Sequence, residues 1–439
     1  MAEQLTVYLN EARLGVIRRD GKHLRRIRFD IDEAYAGGMS DLTEGFSTFP
    51  GTSVDSSHAS NFLGGYVPEG HNRERLAERK RVDSKDLFSL LQYYGLNLAG
   101  AVSIRASDED NKRGTYRKLK HREFIRKVKQ SAEQWDLGNE PDSGRSAAAG
   151  FQPKLLIAKF DGEWFQPEHR AHSTHIIKPT NPNHPLTIFN EWYSHELTRS
   201  IGLSTFDSEL IRTDGTTFLA IQRFDREILS PGEVRATHQE DSAQILDLDW
   251  EDSAAKFQNI SRPRNPAGPS AARIAEIFGS IGTGSDNEIW LRHLVFNVLV
   301  GNHDGHAKNV SIIHGDGDSR IADLYDAVPL LHINDIARTN GQGRIRDDMA
   351  LAINGVFQHH RITASDLVEE AASWGGMPPT RPREIVNEMF AKFADALDAT
   401  QLPDGASSGL DVRLRYNLEQ LDSGKAIGKP KPKNLTKLS

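Results

Sequence analysis

The stretch NEIWLRHLVFNVLVGN, Asn287 to Asn302, constrains this chain more than any other. From Ile289 to Val300 it is nearly all apolar, so a helix built from it has no polar face to give to water and must be surrounded by protein. Partners for it follow. Helical periodicity recurs over AARIAEIFGSIG after Ser270, near Ser365–Ser373 and over Pro382–Leu397. A helix-rich C-terminal lobe is the expectation. Gly301-Asn302 is a helix-ending pair, and the chain then exposes His303, Asp304, Gly305, His306, Ala307, Lys308 and Asn309.

Next comes VSIIHGDGDSRIADL, which reads as two short strands around a Gly-Asp-Gly-Asp turn. In an antiparallel hairpin the start of the first strand lies beside the end of the second, which would bring Asn309 near Asp326. Magnesium usually takes one or two protein oxygens and completes its octahedron with water and phosphate. An amide oxygen from Asn309 and a carboxylate from Asp326 suit that role. Asp304 would then be the carboxylate that orients or deprotonates an attacking hydroxyl. The spacing Asp304-x-x-x-x-Asn309 equals that of the protein-kinase catalytic loop, where the Asp is the base and the Asn a metal ligand. Asp316 and Asp318 read as turn residues, and the spacing and closing Glu of an EF-hand are missing.

Ahead of this lobe the pattern changes. LTVYLNEARLGVIRRDGKHLRRIRFD reads as a strand meander, and NRERLAERKRVDSKDLFSLLQ, Asn72 to Gln92, as helical. Its arginines 18, 19, 25, 26 and 28 form either a basic docking face or a solvated strand face, the second being the plainer reading. After a second helical pattern, REFIRKVKQSAEQW, the Gly- and Ser-bearing NEPDSGRSAAAG marks a boundary. KLLIAKFDGEWFQPE is then two strands about an Asp-Gly turn, THIIKP a buried strand, FNEWYSHELTRSIGL a helix closed by Gly202, and TTFLAIQRFDRE a further strand. The expected domains are 1–106, an N-terminal β-rich subdomain; 107–143, a helical connector; 144–228, a small sheet lobe; 229–422, the helical lobe; and 423–439, a Lys/Pro-rich disordered tail.

A phosphate-transfer site also needs a cation and a backbone cradle. Lys178, in HIIKP, is a lone lysine in an apolar run, costly to bury without an anionic partner, so a nucleotide phosphate is its expected contact. In SAAAGFQPK, small side chains let main-chain N–H groups approach phosphate closely; Ala148, Ala149, Gly150, Phe151, Gln152 and Lys154 are the candidate contacts. Gln222, Arg223 and Phe224 end a strand where the two lobes should join, and an adenine there would find backbone hydrogen bonds and an aromatic wall. Glu191 either pairs with Lys178 or favours a helix N-terminus. Composition removes other classes. There is no cysteine, hence no disulfide, zinc-thiolate site or cysteine nucleophile. No apolar run reaches the ~18 residues of a membrane span, and the N-terminus lacks a signal peptide's apolar block, so a cytoplasmic protein is expected. A net charge of −7 argues against a whole-chain nucleic-acid coat.

GNHDGHAKNVS, LYDAVP, IIKP, NEWYSHELTRSIGL, QRFDR, HQED and GFQPK together resemble the HipA-type toxin kinases of bacterial toxin–antitoxin systems, and the resemblance spans nearly the whole chain. It implies a bilobal, eukaryotic-protein-kinase-like α+β fold that uses ATP and Mg²⁺ to phosphorylate Ser or Thr on proteins, translation components such as aminoacyl-tRNA synthetases among them, causing growth arrest or persistence. Carried over by position, Asp304 is the catalytic base, and Asn309 and Asp326 hold magnesium. Lys178 binds ATP phosphates, His306, Lys308 and Asn309 line them, Tyr325 and Asp326 complete the ATP site, and Gln222 to Phe224 frame the adenine. The implied partner is a small helix-turn-helix antitoxin of HipB type that carries the complex to operator DNA; the acidic ASDLVEEAASW argues against direct phosphate contacts from that region. Relatives commonly carry an autophosphorylated Ser three residues before the glycine of GFQPK. That position is Ala147 here, with Ser146 one residue earlier. A kinase-shaped but catalytically silent corepressor, or a small-molecule kinase, are the alternative readings.

Overall fold

The computed structural model describes residues 3–106, 110, 112–134, 154–181, 185–281, 284–315, 318–332 and 348–429. They divide into two compact units. The first contains Met1–Pro179, Ile211–Ala255 and Ser311–Gly317, and the second Thr180–Leu210, Lys256–Val310 and Asp318–Ser439.

The first unit opens with strands β1 (Leu5–Leu9), β2 (Ala12–Asp20), β3 (His23–Ile31) and β4 (Ser53–Val54). Helices α1 (Ser56–Gly64), α2 (Gly70–Lys80) and α3 (Leu87–Tyr94) follow, then β5 (Val102–Arg105). The sheet order is β4-β3-β2-β1-β5, all antiparallel where paired. Its strands alternate, sending Leu5, Val7, Ile17, Ile27 and Phe29 inward against Phe62, Leu63, Phe88 and Leu91 of the helices. The single helix expected over Asn72–Gln92 is instead two. Arg81 turns left-handed at φ 55°, and the Asp86 carboxylate caps α3 by accepting from the Ser89 N–H, a restart signal that uniform charge had masked. Three of the five meander arginines are ion-paired: Arg18 with Asp30, Arg19 with Asp86 and Arg25 with Asp249.

The same unit holds a second sheet built on β6 (Thr115–Lys118), β7 (Leu155–Phe160), β8 (Glu163–Glu168), β9 (His175–Pro179), β10 (Ser208–Thr213) and β11 (Thr216–Gln222). Its order is β10-β11-β9-β7-β8-β6. Asp161-Gly162 and Asp214-Gly215 have positive φ at both positions, the conformation that two-residue hairpins require. Helix α4 (His121–Gln134) covers this sheet, packing Phe124 and Val128 on Leu155, Ile157, Ile177 and Phe218. After β11 come the hairpin β12 (Arg226–Ser230) and β13 (Glu233–Ala236), then β14 (His238–Asp241) and the short helix α6 (Ser242–Ile245). β14 pairs with β15 (Ser311–His314), which returns from far along the chain.

In the second unit, α5 (Thr187–Ser200), α7 (Ala271–Ile281), α8 (Asp286–Val300), α9 (Ala364–Ser373), α10 (Arg381–Ala399) and α11 (Leu410–Asp422) dominate. Strands β16 (Ser319–Ile321), β17 (Asp348–Ile353) and β18 (Val356–Gln358) are minor. As its sequence required, α8 is buried along most of its length and is packed by α7, α9, α10 and α11. Helix α5, grouped by sequence with the small sheet lobe 144–228, belongs to this unit. The first residues of the expected disordered tail are docked: Ile427 is buried, its N–H donates to the Ile362 carbonyl, and that of Gly428 donates to the His360 carbonyl. One isoleucine in a Lys/Pro-rich stretch was enough. No described helix is long and apolar enough to cross a membrane.

Candidate active site

Helix α8 ends at Gly301, whose φ of 70° is left-handed. The Gly301 N–H donates to the Val298 carbonyl and that of Asn302 to the Asn297 carbonyl, which satisfies the last turn. A side chain at Gly301 would be strained in that conformation and would crowd Leu331. From this anchored point the loop is built by amides. The Asn302 side chain donates to Asn297 Oδ1 at 2.8 Å and accepts the Asp304 N–H at 3.2 Å. The Asp304 carbonyl then accepts twice, from the His306 N–H at 2.8 Å and from Asn309 Nδ2 at 2.9 Å. A short 3₁₀ turn, Ala307–Asn309, closes it, and the Ala307 N–H is held by the Lys256 carbonyl at 3.2 Å.

The consequence is a division of labour within one loop. Asp304 is fixed through its backbone, while its carboxylate is 48% exposed. His306 is buried, with its ring edge-on to Phe257 at 5.1 Å, and its Nε2 lies 4.0 Å from Asp304 Oδ1, beyond hydrogen-bond range. Because Asn309 spends its Nδ2 on the Asp304 carbonyl, its orientation is set and its Oδ1 points elsewhere. Asp326 takes φ 55°, a left-handed conformation that Asp tolerates better than most residues. Its neighbours fix it: Leu324 N–H donates to the Leu203 carbonyl, and Ser194 Oγ on α5 donates to the Ala327 carbonyl. The Tyr325 hydroxyl donates to the Lys308 carbonyl at 2.9 Å, joining the residue before Asp326 to the residue before Asn309. The two expected strands, β15 and β16, are present. An amide oxygen and a carboxylate, both hard donors on tethered segments, fit a magnesium ion by chemistry.

The first unit holds the other candidates. Lys178 is buried on β9, opposite Leu219, and Lys154 lies half-buried just before β7. Gln222 ends β11 opposite His175, and Phe224 is half-buried. Arg223 is differently employed from the expectation. Its N–H donates to the Thr174 carbonyl, and its guanidinium grips Asp225 at 2.7 Å and Ser173 at 3.0 Å. Only its carbonyl is left to meet an adenine. Ser146, Ala147, Ala148, Ala149, Gly150, Phe151 and Gln152 lie outside the described residues. Glu191, fully buried, is the fifth residue of α5 with His195 Nε2 3.7 Å away. It lies past the first turn, where the helix dipole has faded.

Sequence reasoning gave no chemistry to two buried clusters, although it had noticed their motifs. In QRFDR, Asp225 is enclosed by Arg223, Arg226 (2.8 Å) and the Gly100 N–H. Burial opposes its charge, yet the two guanidinium groups hold its carboxyl far below the usual range, and burial pulls Arg226 down to about 9. In HQED, Glu240 accepts from Thr43 Oγ1 and the Glu44 N–H and lies 3.0 Å from His314, which stacks on His238. Burial raises the Glu240 carboxyl and lowers His238 to about 3. For QRFDR, an acid between two arginines three residues apart was the available signal.

Comparisons with known proteins follow the same outline. The model of the HipA-like C-terminal domain matches residues 146–397, and that of the HipA N-terminal domain residues 5–105. The serine/threonine-protein kinase toxin HipA of Shewanella oneidensis is 26% identical over 337 residues, 74% of each chain. Y4mE of Sinorhizobium fredii is 28% identical over 286 residues, 63% of this chain, and the match spans 65% of Y4mE. The structure of Shewanella oneidensis HipA with HipB and operator DNA aligns over 94% of this chain and 95% of that one, with a TM-score of 0.74 at 22% identity, a likeness of fold. This chain belongs to the HipA-like kinase family.

Proposed function

We propose that this family member is an ATP- and Mg²⁺-dependent protein serine/threonine kinase, and that it acts as the toxin of a toxin–antitoxin pair in the cytoplasm. The observation that carries the reading is the loop Gly301–Asn309, in which one carbonyl, that of Asp304, orders both the general-base carboxylate and the Asn309 amide. In this reading Asp304 takes the proton of an acceptor Ser or Thr hydroxyl as its oxygen bonds to the γ-phosphorus of ATP and the bond to the β-phosphate oxygen breaks, releasing ADP. Asn309 and Asp326 hold magnesium, which when bound neutralises charge on the phosphates. Lys178, the segment Ala148–Gln152 with Lys154, and His306 and Lys308 hold the phosphates. Tyr325 holds the Asp326 segment, and Gln222–Phe224 flank the base.

The partner proposed is a HipB-type helix-turn-helix antitoxin, supported by the HipA relative seen with HipB and operator DNA; DNA contact runs through that antitoxin. The acceptor proposed is a translation component such as an aminoacyl-tRNA synthetase, with growth arrest or persistence as the outcome. The corepressor reading loses ground because Asp304, Asn309, Asp326 and Lys178 are all present; a small-molecule kinase would share them and differ only in its acceptor. With alanine at position 147, where relatives commonly carry the autophosphorylated Ser, the kinase is expected to stay active without self-phosphorylation. Incubation of the purified chain with labelled ATP and a cell lysate tests the whole reading: a labelled protein band, absent with Asp304→Ala, is expected. A band of equal strength with that variant refutes it.

A further inference from the structure

The segment Phe257–Ser270, FQNISRPRNPAGPS, has no role in the chemistry above, yet it is anchored to the loop that does. Lys256, just before it, gives its carbonyl to the Ala307 N–H of the catalytic loop, and Phe257 meets the His306 ring. Gln258 pins the other side. Its N–H donates to the Ala350 carbonyl and its Oε1 accepts the Ala352 N–H at 2.7 Å, while its Nε2 donates to the Pro263 carbonyl at 2.8 Å. The far end is tied by Arg273 Nη1 on the Gly268 carbonyl and by the Ser270 hydroxyl accepting the Arg273 N–H.

Between these anchors the chain projects, but it is ordered from within. Asn259 Oδ1 accepts the Ser261 and Arg262 N–H groups, Asn265 Oδ1 accepts that of Ala267, and three prolines limit the backbone further. Its tip displays Ile260, 43% exposed, with exposed Arg262 and Arg264 on either side of Pro263. Elsewhere in the same unit, Arg199, Arg292, Arg381 and Arg415 each sit on a carboxylate. Among the described residues neither Arg262 nor Arg264 has a side-chain hydrogen bond or ion pair. A preorganised loop with one apolar residue and two uncommitted guanidinium groups, in a chain of net charge −7, is complementary to an acidic segment carrying an apolar side chain.

We propose that Phe257–Ser270 is the acceptor-docking loop, and that it selects Ser/Thr acceptors flanked by Asp or Glu and an apolar residue. This rests on the kinase reading and adds substrate choice to it. The test uses the full chain, ATP and a positional library of Ser- and Thr-centred peptides in which each flanking position is fixed in turn as acidic, basic or apolar. Wild type is expected to prefer acidic positions. Arg262→Ala/Arg264→Ala should flatten that preference and raise KM for the best acidic peptide roughly three- to tenfold, the reach of two exposed ion pairs. Arg262→Lys/Arg264→Lys should restore most of it, and Ile260→Ser should erase only the apolar preference. Transfer with no acidic preference, or one that survives the double alanine variant, overturns the docking assignment and leaves the kinase reading standing. Transfer to none of the peptides overturns both. Loss of binding to a fluorescent mixed-sequence DNA duplex in the double alanine variant, without an acidic preference in wild type, assigns the arginines to nucleic acid and also overturns the proposal.

Discussion

Asp225 and Asp304 are treated in opposite ways by the fold. The carboxylate of Asp225 is buried and contacted by two guanidinium groups, a backbone N–H and the Gln239 amide. For Asp304 the backbone N–H donates to Asn302, the carbonyl accepts from His306 and Asn309, and the side chain is half exposed. One acid is consumed in holding its unit together. The other is held so that it can be presented. Composition cannot tell them apart; their burial does.

Substitution should separate them most sharply in rate. Asp304→Ala is expected to cut phosphoryl transfer by about 10²–10⁴-fold while shifting folding stability by less than about 0.5 kcal/mol; quench-flow transfer assays and urea melts on the same sample check both. A large loss of stability would erase the contrast. Asp225→Ala should do the reverse and cost about 3–5 kcal/mol of stability, because Arg226 and Arg223 lose the buried charge that neutralises them. A denaturation midpoint unchanged from wild type would mean that the guanidinium groups find other partners.

Histidine extends the comparison to pH. Burial alone lowers His293, on α8, to about 3 from an ordinary 6.5. A group with a depressed folded pKa contributes stability above its unfolded pKa, and that contribution is lost as pH falls from 6.5 toward 3. His293→Phe removes this proton uptake, so its stability relative to wild type should rise by about 2 kcal/mol between pH 7 and pH 5. Parallel melts at the two pH values read the difference directly, and a pH-independent difference refutes it. The smallest effect sharpens the Asp304 side. Tyr325→Phe deletes one hydrogen bond between the Asp326 and Asn309 segments, worth about 1 kcal/mol, and should weaken Mg-ATP binding about fivefold by calorimetry with little change in melting.

Much of the Asp304 region was legible because its signals are local. An apolar run, a Gly-Asn stop and the Asp-x4-Asn spacing lie within neighbouring turns, and α8 and its end at Gly301 stand where they were expected. The Asp225 brace was not legible. Its carboxylate reaches Gly100, and Arg226 reaches the Leu98 carbonyl, partners that no periodicity reports. The break between α2 and α3 was hidden because solvated charge continues across it, and α5 was grouped with the small sheet lobe because a helix's own pattern does not name the unit it packs in. The adenine contacts expected at Gln222–Phe224 did not include the engagement of Arg223, whose N–H donates to Thr174 and whose guanidinium holds Asp225 and Ser173.

The return of β15 to β14 bears on how the protein is made. The first unit is discontinuous in the chain, and β14, complete at Asp241, lacks this neighbour until Ser311–His314 has been synthesised. At about 5–20 residues per second that wait lasts on the order of several seconds, during which a strand edge carrying His238 and Glu240 stands open. The loop Gly301–Asn309 lies in the intervening stretch, so the ribosome must release Asp304 and Asn309 before the first unit can close. A truncation at Ala255, tempting as a domain boundary, would strand β14 permanently and should yield aggregates rather than a soluble half-protein.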